Sequence, residues 1–93
     1  MKHINAIMLM IANFLYGESD AEDFSFEFPV ALSDGCDDIR TENAQLCDLL
    51  EDQMPELCAA FDPNSTGEPD TLDETAFKKK VLEIYQKAVS LSL

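Results

Sequence analysis

The segment NAQLCDLLEDQMPELCAAF, residues 43–61, carries apolar side chains at the spacing of an amphipathic helix. These apolar residues are Leu46, Leu50, Met54, Leu57, Cys58 and Phe61. A period near 3.6 residues places them on one helical face and leaves the opposite face polar. Pro55 interrupts the pattern, because proline removes a backbone donor and clashes one turn back. We therefore expect a kink or a helix restart near Met54.

Similar stripes occur at both ends of the chain. The segment MKHINAIMLMIANFLYG, residues 1–17, predicts a helix that ends near Gly17. Its stripe consists of Ile4, Ile7, Met8, Ile11, Phe14 and Leu15. The segment LDETAFKKKVLEIYQKAVSLSL, residues 72–93, predicts another helix at the C-terminal end of the chain. Thr71 with Glu74 fits a capping box at the start of this helix. Its stripe consists of Phe77, Val81, Ile84, Tyr85 and Ala88.

The segment SDAEDFSFEFPVALSDG, residues 19–35, has two competing patterns. A cap at Ser19 or Asp20 and acidic residues in the first turn favour a helix, with the stripe Ala21, Phe24, Phe28, Ala31 and Leu32. The alternation of Phe24, Phe26, Phe28 and Val30 is typical of a strand. We predict a short helix kinked at Pro29, with Phe26 off the main stripe, followed by a polar connection over residues 34–42.

Four helices with short connections and one apolar face each predict an all-α fold, an antiparallel four-helix bundle. The chain has 93 residues, of which 46% are hydrophobic. This is enough for one modest core, so we expect residues 1–93 to form a single domain.

The charge balance limits the kinds of partner. The chain has 19 acidic and 6 basic residues and a formal net charge of −13. A protein that binds nucleic acid directly carries the opposite sign. The plausible partners are metal ions or basic proteins, including proteins that themselves bind nucleic acid.

Cysteine content and the N-terminal segment both indicate a cytoplasmic protein. Cys36, Cys47 and Cys58 leave one thiol unpaired in any intramolecular scheme, and we expect buried reduced thiols. The single histidine, His3, and the lack of a C-x-x-C pair argue against structural zinc. The first apolar stretch is interrupted by asparagines, lacks a signal-peptidase site and is too short to span a membrane.

Residues 62–73, DPNSTGEPDTLD, partly match a calcium-binding EF-hand loop. Position 12 is Asp73 instead of the bidentate glutamate, Pro69 removes the donor at position 8, and no second hand is present. We therefore expect neither a metal site nor a cofactor. The sequence also lacks a G-x-S-x-G element, a glycine-rich phosphate loop and the D-S-L serine of an acyl carrier, so we expect no enzymatic or carrier activity.

The order of these elements resembles the colicin D immunity family, including immunity proteins of contact-dependent growth inhibition systems. The resemblance rests on NFLYGESDAEDF, on LCAAFDPN at the end of the long acidic helix, and on FKKKVLEIYQKAV after a polar loop. The strongest element is Phe61-Asp62-Pro63. Members of that family are four-helix bundles that bind a cognate tRNA-cleaving toxin domain and cover its basic cleft.

The resemblance implies that acidic residues late in the third helix and in the following loop contact the toxin. It places Asp62 directly in the interface, while Asn64 and Ala59 stand where family members place acids. The expected toxin-binding residues are Asp52, Glu56, Asp62, Asn64, Glu68 and Asp70. Asp34, Asp37 and Asp38 form either a solvated loop or a second contact patch.

Two other classes of function stay open. The chain is alternatively a general acidic interaction module, such as an antitoxin or nucleic-acid mimic, or a metal-responsive helix-loop-helix protein. An adjacent toxin gene distinguishes the immunity protein from both.

Overall fold

Over the residues that the structure describes, the chain folds into four α-helices, as the apolar periodicity predicts. The computed structural model describes residues 2–62, 64 and 71–92. The helices are α1 (Lys2–Leu15), α2 (Ala21–Glu42), α3 (Ala44–Ala60) and α4 (Glu74–Ser92). The prediction of an all-α bundle is confirmed.

Contacts between helix ends establish the antiparallel order. The end of α2 meets the start of α1, where the Glu42 carboxylate accepts a hydrogen bond from the backbone N–H of His3 at 3.0 Å. The start of α4 meets the end of α3, where the Phe61 and Phe77 rings lie 4.7 Å apart. Each helix packs against the next, and α1 also packs against α4. The α1–α4 groove and the α2–α3 groove therefore lie on opposite sides of the bundle.

One face of each helix forms the core. The fully buried large side chains include Ile11, Phe14, Phe24, Phe28, Ile39, Leu46, Leu50, Met54, Phe77 and Val81. Four of them are aromatic and gather at one end of the bundle, where Phe14 stacks on Phe24 at 4.4 Å between ring centres. All four helical stripes predicted from the sequence face this core.

Helix α2 is longer than predicted, and the predicted connection over residues 34–42 is wrong. The helix continues to Glu42 because Ile39 is buried against the core, seven residues after the buried Leu32. A spacing of seven keeps a side chain on the same face after two turns. The connection to α3 is the single residue Asn43, whose side-chain oxygen caps α3 by accepting from the Leu46 N–H at 3.1 Å.

Proline does not end either helix in which it occurs. Pro29 lies inside α2 and Pro55 lies inside α3, so the predicted alternative of a restart near Met54 is wrong. Each proline deprives one carbonyl of its helical donor. Both prolines line the groove between α2 and α3. Pro55 is exposed, so water can hydrate the carbonyl that lacks Pro55 as its helical donor.

Side chains and backbone bonds set the other helix ends. Gly17 adopts a φ of +84° after α1, and Asp20 caps α2 by accepting from the Glu22 N–H at 3.2 Å. The predicted capping box at Thr71 is wrong, because Asp73 accepts from the Ala76 N–H at 2.8 Å and is the cap of α4.

The carboxylate of Glu42 caps α1 from the neighbouring helix. It accepts hydrogen bonds from the backbone N–H groups of His3 and Ile4, each at 3.0 Å, and lies 2.6 Å from the His3 ring nitrogen Nδ1. The first N–H groups of a helix have no partner within the helix, and the helix dipole favours a negative charge there. The bond from Ile4, supported by those from His3, lowers the pKa of Glu42 from 4.5 to about 2.

Replacing Glu42 with glutamine is therefore expected to destabilise the bundle in a pH-dependent way. A carboxyl whose pKa is lower in the folded state stabilises the fold above its unfolded pKa, and this contribution is lost as the pH falls through the folded pKa. The difference in melting temperature between wild type and Glu42→Gln should be full above pH 4.5 and close towards pH 2. Thermal unfolding between pH 2 and pH 7 measures it. Asp38→Asn is the control, since exposed Asp38 lies 3.4 Å from His3 Nε2 without capping α1; an equal, pH-independent loss in both variants would contradict the capping role.

Candidate functional site

The charges of the chain are divided between two sides of the bundle. Helices α2 and α3 carry eleven carboxylates and one basic residue, Arg40. Helices α1 and α4 carry two carboxylates and five lysines. Because α2 is adjacent to α3 and α1 to α4, the negative charge of the helices is concentrated on the half of the bundle that α2 and α3 form.

The solvent-facing stripes of α2 and α3 form a surface that we call the acidic face. All of its carboxylates belong to residues exposed to solvent: Glu22, Asp23, Asp34, Asp37, Asp48, Asp52 and Glu56. On α3, Asp48, Asp52 and Glu56 recur at intervals of four residues, which is the spacing of one helical face. On α2, Glu22 and Asp23 lie in the first turn, and Asp34 and Asp37 lie three residues apart in the second half of the helix. The acidic face thus comes from helices held rigidly by the core beneath them.

Asp52 and Glu56, two of the residues predicted from the sequence, lie one turn apart on this face. A separation of four residues corresponds to about 6 Å along the helix axis. Within the part of the chain that the structure describes, neither carboxylate has a hydrogen bond or ion pair. Both are therefore available to a partner's cations without breaking an internal contact.

Arg40 neutralises part of the acidic face at the other end of α3. Its guanidinium donates to Asp48 at 2.6 Å and to Glu51 at 2.7 Å, and the hydrogen bond to Asp48 raises the pKa of Arg40. These contacts join the end of α2 to the start of α3. Asp52 and Glu56, further along α3, have no ion pair within the described chain, although Glu56 also lines the cleft between α3 and α4, where Lys80 and Lys87 stand on the α4 side.

The other predicted contact residues lie at the end of α3 and beyond it. Half-buried Asp62 accepts from the Asn64 N–H at 2.9 Å, so one of its carboxylate oxygens already stabilises the turn after α3. Asn64 is exposed. Glu68 and Asp70 lie outside the described residues, so their prediction has no structural counterpart.

The α2 carboxylates of the acidic face were assigned only a secondary role by the sequence. The sequence predicts Asp34 and Asp37 as part of a solvated loop or a second contact patch, and it uses the acids of the first turn only as a sign of a helix start. The missed signal is the spacing from Leu32 to Ile39, which continues the apolar stripe of α2 and so fixes the outward direction of Asp34 and Asp37.

The three cysteines are free thiols. Cys47 and Cys58 are buried and Cys36 is half-buried, and burial raises the pKa of Cys58 to about 11. The Cys58 thiol is therefore neutral at pH 7 and a poor nucleophile.

Within the described residues, no three His, Cys, Asp or Glu side chains are placed to hold a metal ion, and no helix is long and apolar enough to cross a membrane. Comparison with known proteins gave no significant match among protein-family models, curated proteins or solved structures.

Proposed function

We propose that this protein is an immunity protein that binds a cognate tRNA-cleaving toxin domain and blocks its basic substrate cleft with the acidic face. The observation that carries the proposal is the division of charge, which concentrates carboxylates on α2 and α3. The resemblance of Phe61-Asp62-Pro63 and its neighbours to the colicin D immunity family gives the proposal its toxin class.

The chemistry of the partner supports this choice. A ribonuclease must hold a polyanion, so its substrate cleft is lined with lysine and arginine. Carboxylates on a rigid helical surface can bind those groups and deny them to the phosphates of tRNA. Opposite charges also accelerate encounter, which favours rapid capture of a lethal enzyme.

Asp52 and Glu56 are the strongest candidates for direct contacts with the toxin. Both are exposed and have no internal partner within the described chain, so binding a partner's cation costs no existing ion pair. Asp62, Asn64, Glu68 and Asp70, which follow α3 in the sequence, are the further candidates that the resemblance implies. In this proposal the protein acts in the cytoplasm and binds no nucleic acid itself.

Binding kinetics against the catalytically inactivated toxin domain encoded beside this chain tests the proposal. We expect a 1:1 complex whose association rate falls steeply as salt rises beyond about 0.1 M, where charges are screened over about 10 Å. The dissociation rate should change much less. The absence of an adjacent toxin gene, or an association rate that does not respond to salt, would contradict the proposed function.

A further inference from the structure

A groove between α2 and α3 interrupts the acidic face with apolar side chains. It is lined by Phe26, Pro29, Pro55, Ala59 and Phe61, with Glu22 and Ser25 at its edge. The side chain of Phe26 is 74% exposed, and Val30, one turn further along α2, is 60% exposed. These two residues lie on the solvent-facing stripe of α2 among Glu22, Asp23 and Asp34.

Exposed apolar residues that occur singly are ordinary on protein surfaces. Phe26 is not isolated in this way. Val30, also exposed, lies one turn away, and Pro29 of α2 and Pro55 of α3 line the same groove as Phe26. The fold does not require this aromatic ring, since the α2 contacts with the core come from Phe24 and Phe28. A large exposed ring beside a groove is the kind of side chain that dominates the affinity of protein interfaces.

Pro29 also leaves a backbone carbonyl beside the groove without its usual helical donor. Pro29 cannot donate to the Ser25 carbonyl, and Pro55 cannot donate to the Glu51 carbonyl, which would be their helical partners. Ser25 lines the groove together with Pro29, whereas Glu51 is not among the residues that line it. A carbonyl without its helical donor is a suitable acceptor for a lysine or arginine of a partner.

The charge around the groove determines which kind of partner can bind there. The carboxylates of the acidic face repel nucleic acid, an anionic membrane and the same face of a second copy of this chain. A cationic protein with an apolar pocket complements both the ring and the carboxylates. We propose, as a deepening of the proposed function, that Phe26 anchors the toxin domain by entering an apolar pocket at the edge of its basic cleft, while toxin cations bind the acidic face and groove.

Replacing Phe26 with alanine tests this role, with Leu82→Ala as the control. Leu82 is also exposed, but it lies in the α1–α4 groove on the opposite side of the bundle. With the inactivated toxin domain as the probe, we expect Phe26→Ala to weaken binding by about 30-fold or more through faster dissociation. The association rate and its salt dependence should stay as in wild type, because no charge is removed. Leu82→Ala should bind as wild type, and both variants should remain folded.

The outcomes separate this inference from the proposed function. If wild type binds the toxin domain and Phe26→Ala dissociates from it at the same rate, Phe26 is not an anchor and the proposed function stands. If wild type does not bind the toxin domain, the proposed function fails and this inference fails with it. Sedimentation of the chain alone should show a monomer. If it shows a dimer, and Phe26→Ala dissociates that dimer, the groove binds a second copy of the chain and the toxin is not its partner.

Discussion

Replacing Phe77 with alanine is expected to destabilise the bundle by about 3–5 kcal/mol. Phe77 is fully buried and connects three other elements through its ring: Phe14 of α1 lies at 5.4 Å, Phe24 of α2 at 6.1 Å and Phe61 after α3 at 4.7 Å. Truncation removes these contacts together and leaves a cavity that a close-packed core fills only in part. Small domains have total stabilities of about 5–15 kcal/mol, so this one change should remove a large share of the stability.

Urea unfolding measures the effect of Phe77→Ala, and Leu82→Ala on the same helix is its control. Leu82 is 43% exposed, so its truncation should cost far less. Leu50→Ala should behave like Phe77→Ala, because Leu50 is fully buried on the core face of α3. Equal midpoints for Phe77→Ala and Leu82→Ala would show that the aromatic cluster does not hold the helices together.

The double variant Asp52→Asn/Glu56→Gln is expected to lose protection against the toxin while keeping its fold. Replacing an acid that is desolvated against a partner's lysine or arginine typically costs about 2–5 kcal/mol of binding free energy. The loss from two such acids should weaken binding by roughly 1,000-fold or more. The melting temperature should change little, because neither carboxylate has an internal partner within the described chain. Survival of cells that express the active toxin, together with binding kinetics, measures the result.

The matched control is Glu18→Gln/Asp38→Asn, which makes the same change of net charge and of side-chain type. Glu18 lies in the turn after α1, and Asp38 lies on the side of α2 that faces His3 of α1. This variant should protect cells nearly as well as wild type, with only a modest fall in association rate. If the two double variants protect equally, net charge alone would explain the effect, and the acidic face would have no specific role.

Much of the candidate site was predictable from local sequence. The stripe through Leu46, Leu50 and Met54 places Asp52 and Glu56 on the opposite, solvent-facing side of α3, which the structure confirms. The contribution of α2 was missed because Asp34, Gly35 and the following acids have the composition of a loop. Composition is a weak guide to helix length, since the burial of one residue such as Ile39 can extend a helix through a polar segment.

The sequence by itself determined the four helices, their apolar faces, a cap of α2 at Ser19 or Asp20, and the sign of the surface charge. These properties depend on residues within one or two turns of each other, and a local period records them. Only the tertiary structure decided which faces are neighbours: that α2 and α3 join their carboxylates into one surface, that Glu42 caps α1, and that Phe26 lies beside the Pro29–Pro55 groove. These relations join residues far apart in the chain, and they arise from the packing of whole helices around a shared core.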